Sequence, residues 1–244
     1  MPKYTPVTKD RHGQLFWQRF SDYHFAAQIQ LVPLVAAELS RAALTLPLAF
    51  TRHGDAFMLT AVLSRIPDRN LYVAANGRWL GGYPPAFFRS YPFSLIDNVL
   101  HVDESSDLIG TTGNAFFDVA GNLVQPLQET ITFLKELEQN HKATEQAATA
   151  LAKAGVLVEW MPSHKPDTAD TAVTLYAVDE SRLHALDNQT YLHLRDTRAM
   201  SVAYGQMLSM TNIQKFDNLA RLGQHIKPTR QAGIDFEDDM IRFS

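Results

Sequence analysis

Nine histidines and 26 carboxylates are spread along a chain of 244 residues that has no cysteine. The missing thiols remove thiolate nucleophiles, disulfides and Cys-ligated zinc or iron–sulfur centres. Any metal chemistry must therefore rest on imidazole and carboxylate. His101 and Asp103 have the His-x-Asp spacing of the first two ligands in many non-haem Fe(II) oxygenases, with His184 or His193 as third ligand and Arg195 as co-substrate anchor. Two residues so spaced share one side of a strand. The same spacing also suits a histidine facing outward while Asp103 caps the next turn through backbone N–H groups. Other chemistries find no local support. The chain has no Gly-x-Ser-x-Gly elbow, no His-Glu-x-x-His, no Gly-x-x-x-x-Gly-Lys-Ser/Thr loop and no Gly-x-Gly-x-x-Gly. Neither a catalytic residue set nor a cofactor is assigned.

A denser group of reactive surfaces lies in Tyr72-Val73-Ala74-Ala75-Asn76-Gly77-Arg78-Trp79, followed by Tyr83-Pro84-Pro85-Ala86-Phe87-Phe88-Arg89-Ser90-Tyr91-Pro92-Phe93. Pro84 and Pro85 can start a short helix, and Pro92 disfavours helical geometry at Tyr91 and stops it. Phe87, Phe88 and Trp79 are then expected to face a core. The guanidinium groups of Arg78 and Arg89 can stack on rings or bind a carboxylate or phosphate. Two readings stand. One is an aromatic clamp that joins a hairpin to a short helix. The other is a recognition site for a peptide or small molecule formed by Arg78, Trp79, Pro85, Arg89, Tyr91 and Phe93. Arg89 discriminates between them, because a buried guanidinium beside a cavity needs a compensating partner or ligand.

The elements that would position these residues follow from periodicity. Pro33 suits the first turn of a helix over about 33–44. Alternation from Leu46 to Phe50 and from Phe57 to Leu63, around His53-Gly54-Asp55, predicts a hairpin. Leu71–Ala75 reads as a short strand. Residues 92–96 and 99–102 form a second hairpin around Asp97-Asn98. Leu127, Ile131, Leu134 and Leu137 line a helix that runs toward Lys153, with Gly155 as its C-cap. Val156–Val158 and Val173–Ala177 are strands separated by a polar stretch, His164 to Asp170. In the helical last third, Ala203, Met207, Met210, Ile213, Phe216 and Ala220 form an apolar stripe opposite Ser209, Asn212, Lys215 and Asn218. That stripe is a core face or an adaptable methionine-rich partner surface. Residues Asp235 to Phe243 mix acids with apolar groups, as a docking tail or terminal strap would.

The expected fold class is α+β: a single domain, 1–244, with a mainly antiparallel sheet and a carboxy-terminal helical subregion, an N-terminal arm over 1–30 and a C-terminal tail over 225–244. Composition agrees with a globular chain, at 45% hydrophobic and 20% charged residues. A net charge of −4 offers no field for nucleic acid. Pro33, Glu38, Arg41 and Pro47 interrupt the longest apolar stretch, which excludes a membrane span there. Without a signal-like N-terminus the expected location is the cytoplasm, unless export uses a signal elsewhere.

Trp79, Pro85-Ala86 and Arg89 followed by Tyr91-Pro92-Phe93 resemble the bacterial SapC family pattern of a tryptophan, a proline–alanine helix and an arginine–tyrosine–proline–phenylalanine ending. The resemblance extends over most of the chain, through Val32-Pro33-Leu34, Val102-Asp103-Glu104-Ser105, Val178-Asp179-Glu180 and the Tyr204–Leu208 helix. Ser90 departs from the more basic form of the motif. The family name comes from a surface-layer gene cluster, and its relatives accompany flavin-dependent tryptophan-halogenase-like proteins and outer-membrane receptor systems. The resemblance thus implies a noncatalytic accessory or binding role, with surface-layer, export or uptake systems or a halogenase-like enzyme as protein partner. It supplies no catalytic residues.

Overall fold

The computed structural model describes residues 3–160 and 173–225. In chain order the strands are β1 (Tyr4–Pro6), β2 (Phe16–Trp17), β3 (Leu31–Pro33), β4 (Leu48–His53), β5 (Ala56–Val62), β6 (Phe93–Ile96), β7 (Val99–Asp103), β8 (Ile109–Gly110), β9 (Asn114–Ala115), β10 (Leu157–Glu159) and β11 (Leu175–Val178). The α-helices are α1 (Lys9–His12), α2 (Leu39–Thr45), α3 (Gln125–Lys153), α4 (Glu180–His184), α5 (Asn188–Asp196), α6 (Ala199–Ser209) and α7 (Phe216–His225). Every strand pairing among the described residues is antiparallel. The α+β class and the helical carboxy-terminal region are as expected. No helix among the described residues is long and apolar enough to cross a membrane. The stretch His164 to Asp170 and the segment Asp235 to Phe243 lie outside the described residues.

The described residues gather into two compact units: the first takes residues 3–21 and 86–139, the second 22–85, 140–160 and 173–225. In the first, β1-β7-β6 and β8-β2-β9 form two three-stranded sheets. Within the 1–30 stretch, expected as an arm, residues 4–6 and 16–17 are strands: β1 pairs with β7, and β2 lies between β8 and β9. Trp17, Phe93, Leu100, Val102, Phe116 and Leu127 form the core, with Trp17 edge-on to Phe93 at 5.2 Å. The Asp97-Asn98 hairpin is present, with φ of 50° and 61° as its tight turn requires.

In the second unit the sheet order is β10-β11-β4-β5-β3. The predicted hairpin is β4–β5, and Gly54 supplies the positive φ of its two-residue loop. Pro33 does not start a helix. It ends β3, which pairs with β5, and α2 begins only at Leu39. Leu71–Ala75 makes one isolated bridge, Val73 to Trp79, instead of a strand. Asn70 accounts for part of this: its side chain takes the Tyr72 N–H that a ladder would use, and donates to Ala26 O, 44 positions away. Helix α3 runs unbroken to Lys153, and Gly155 follows at φ 72°, its N–H on Ala152 O.

The last third inverts one expectation. Ser209 and Asn212, read as the polar side of the stripe, are buried. Ser209 Oγ accepts the Leu48 N–H at 2.9 Å, and Asn212 Nδ2 donates to Ala43 O and Leu46 O. Gln206, also buried, donates to Leu48 O and accepts from Val178 N–H. Buried backbone groups need partners, and here polar side chains provide them.

Candidate functional site

In the second unit, Trp79 lies within a group of rings. Tyr72 stacks on it at 5.3 Å and 20°, and Tyr23 tilts against it at 5.4 Å. The preceding turn is fixed by Gly77 at φ 78° and by Asn76 Oδ1, which accepts the Arg78 N–H. A Cβ on Gly77 would meet the His24 ring at 2.5 Å. That ring bonds Asp22 Oδ1 through Nδ1 at 2.8 Å and reaches Ala75 O through Nε2. Arg78 is exposed at the end of this turn, and Pro85 is buried. Tyr83 donates to Glu38 Oε1, while Glu38 Oε2 accepts the Val35 N–H. Burial raises the Tyr72 phenol well above its usual range.

In the first unit, residues Ala86–Ser90 form a 3-10 turn as the prolines suggested. Phe88 is buried, but Phe87 is half exposed rather than turned into a core. Arg89 is partly buried, and Phe93 belongs to the core beside Trp17 and Phe116. Burial raises the Tyr91 phenol, and the carboxylates of Asp103 and Asp107 add to the effect against a hydrogen bond to Ser106. The six residues singled out in the sequence thus divide between units: Arg78, Trp79 and Pro85 in the second, Arg89, Tyr91 and Phe93 in the first.

Asp103 sits at the end of β7, 3% exposed. Its Oδ1 accepts from Lys3 N–H at 2.8 Å, Ser105 N–H at 3.1 Å and Ser105 Oγ at 2.6 Å. The turn-capping reading of Asp103 therefore describes its geometry. Burial, with Asp103 and Tyr91 adding to it, pushes the Tyr4 phenol up to about 12. His101 Nδ1 lies 2.9 Å from Val99 O. The iron triad does not assemble: among the described residues no three His, Asp or Glu side chains gather to hold a metal. His184 and His193 lie on α4 and α5 in the second unit.

Sequence reading passed over a neighbouring ion pair. Arg11 donates to both oxygens of Glu104, and the buried His12 places Nε2 3.2 Å from Glu104 Oε1. The hydrogen bond from Arg11 is the main cause that holds the Glu104 carboxyl at about 2. Arg11 and Glu104 are 93 positions apart, so no local motif connects them.

Sequence reading also passed over an open cleft of about 810 Å³ within the second unit. Glu145, Thr149 and Lys153 on α3 face Gln189, His193 and Thr197 of α5 and the residue after it, with Asp55 of the β4–β5 loop at one end. Ala150, Ala154 and Leu194 contribute apolar surface. A smaller lobe of about 280 Å³ adjoins it, sharing Asp55, Thr149 and Lys153. Each helix supplies its lining at intervals of four, which was visible in the sequence but is common to any helix face. Thr149 Oγ1 also accepts the Phe57 N–H, joining helix to sheet. Its mixed lining of alanines and polar side chains lets the cleft hold a ligand by shape and hydrogen bonds.

A family model described as SapC matches residues 7–216. No curated protein and no solved structure matched the chain.

Proposed function

The chain belongs to the SapC family, and from that premise we propose that it is a noncatalytic accessory protein that binds a peptide or small molecule in the cleft between α3 and α5. The open cleft carries this reading, because its volume of about 810 Å³ falls within the usual size of ligand sites. The placement of the buried polar side chains supports it as well. Asp103, Gln206, Ser209 and Asn212 all bond backbone groups and so serve the fold. The packing of Trp79 between Tyr72 and Tyr23 favours the clamp reading of that ring. On this proposal the protein serves the surface-layer, export or outer-membrane uptake systems implied by the family resemblance.

The test is a nuclear magnetic resonance screen of the full chain against a fragment library and a set of short peptides. Backbone shifts should change around Thr149, Ala150 and His193. Changes centred on Arg78 and Trp79 would return recognition to the aromatic segment. Chemical conversion of any bound fragment would remove the noncatalytic reading.

A further inference from the structure

The smaller lobe has its own chemistry. Its walls are Arg52 and Phe57 from the β4–β5 hairpin, Leu157 and Tyr176 from β10 and β11, and Thr149, Ala152 and Lys153 from α3, with Asp55 at the mouth. Phe57 and Tyr176 meet edge to face at 5.2 Å. Their half-buried rings present an aromatic surface, which favours a third ring in offset or edge-on contact. Arg52 is the cross-strand partner of Phe57, and its guanidinium carbon lies 6.0 Å from that ring's centroid. Arg52 Nε donates to Gly54 O at 2.8 Å, so the guanidinium is held in place before any ligand arrives.

The charges in this lobe are unequal. Arg52 and Lys153 face one carboxylate, Asp55, whose side chain is fully exposed and 3.8 Å from Arg52 Nη2. Two cations beside two rings suit a group that carries both an aromatic side chain and a carboxylate. The lobe opens at Asp55, Thr149 and Lys153 into the larger cleft, where Gln146 and Gln189 can hydrogen-bond a peptide backbone. We infer that the smaller lobe receives the free carboxyl terminus of a peptide whose last residue is aromatic, with the preceding residues lying in the cleft.

The inference rests on the proposed binding role and adds a ligand class and a direction of entry. The carboxyl end of α3 carries partial negative charge, which works against an anion near Lys153. Binding therefore needs both cations, and removing either should have a large effect.

The experiment titrates the full chain with four probes: acetyl-Ala-Ala-Phe with a free carboxylate, its C-terminal amide, acetyl-phenylalanine and free phenylalanine. The free-acid tripeptide should bind most tightly and shift the resonances of Phe57, Lys153 and Tyr176. Its amide should bind about tenfold more weakly, as loss of one charge-assisted contact implies. Arg52→Gln and Lys153→Gln alter exposed side chains, so each should keep the melting temperature and weaken the free acid to a similar degree. Equal binding of acid and amide would overturn the inference, as would tighter binding of free phenylalanine than of the tripeptide. Uncharged probes that shift Ala150 and His193 equally well would also overturn it, while leaving the proposed binding role standing. If no probe or library fragment shifts the cleft, both readings fail.

Discussion

The Trp79 ring group and the α3–α5 cleft lie in the same unit and differ in how they use their side chains. Around Trp79, three large aromatic rings cover one another, and the adjacent turn is held by His24 and Asn76. Along the cleft, alanines, threonines and charged or amide side chains line open space. Large rings bury much area and attract packing partners. The ring group around Trp79 thus spends its side chains on one another, while commonplace residues line the opening.

Substitutions can break or sharpen this contrast. The largest effect is expected from Trp79→Ala, which should cost about 3 kcal/mol in chemical denaturation by removing a ring from a packed group. It should leave ligand-induced shifts in the cleft unchanged. Near-neutral stability with loss of binding would reverse the comparison. Gln206→Ala comes next, at about 2 kcal/mol, because it strips partners from Leu48 O and Val178 N–H inside the unit that carries the cleft. A loss below about 0.5 kcal/mol would mean that water replaces the amide.

The first unit provides the corresponding control. Asp103→Ala should cost about 1–2 kcal/mol through lost caps, and His101→Ala should stay within about 0.5 kcal/mol. Equal losses that added iron reverses would restore the paired-ligand reading. The smallest effect concerns pH. The Glu104 carboxyl sits at about 2 when folded against an ordinary 4.5. Its contribution is therefore complete above the ordinary value and disappears as pH falls through the folded one. Denaturation midpoints of Glu104→Gln and the parent protein should draw together as pH falls below 4.5 and meet as it passes about 2. A constant gap at every pH would assign the effect to packing.

The hairpins and the long helix were legible in the sequence because each depends on neighbours. Asp97-Asn98 and Gly54 can adopt the turn geometry, and the apolar spacing from Leu127 carries α3 forward. Features set by distant partners were not legible. Ser209 and Asn212 look like solvent-facing residues until Leu48 and Leu46 arrive beside them. Asn70 looks like a loop residue until Ala26 O, 44 positions away, accepts from its side chain. Asp103 was half legible, since its bond to Ser105 is local and its bond to Lys3 spans 100 positions. The cleft left no signature, because open space arises only when α3 and α5 are placed apart.

The bonds between Gln206, Ser209 and Asn212 and the backbone of Ala43, Leu46 and Leu48 connect groups 158 to 169 positions apart. A ribosome adding about 5–20 residues per second takes roughly ten to thirty seconds to cover that distance. For most of that interval the β4 segment is outside the tunnel without the side chains that will seal its peptide groups. Nascent chains halted before Gln206 should therefore recruit holding chaperones, and release from them should coincide with emergence of the Gln206–Asn212 segment.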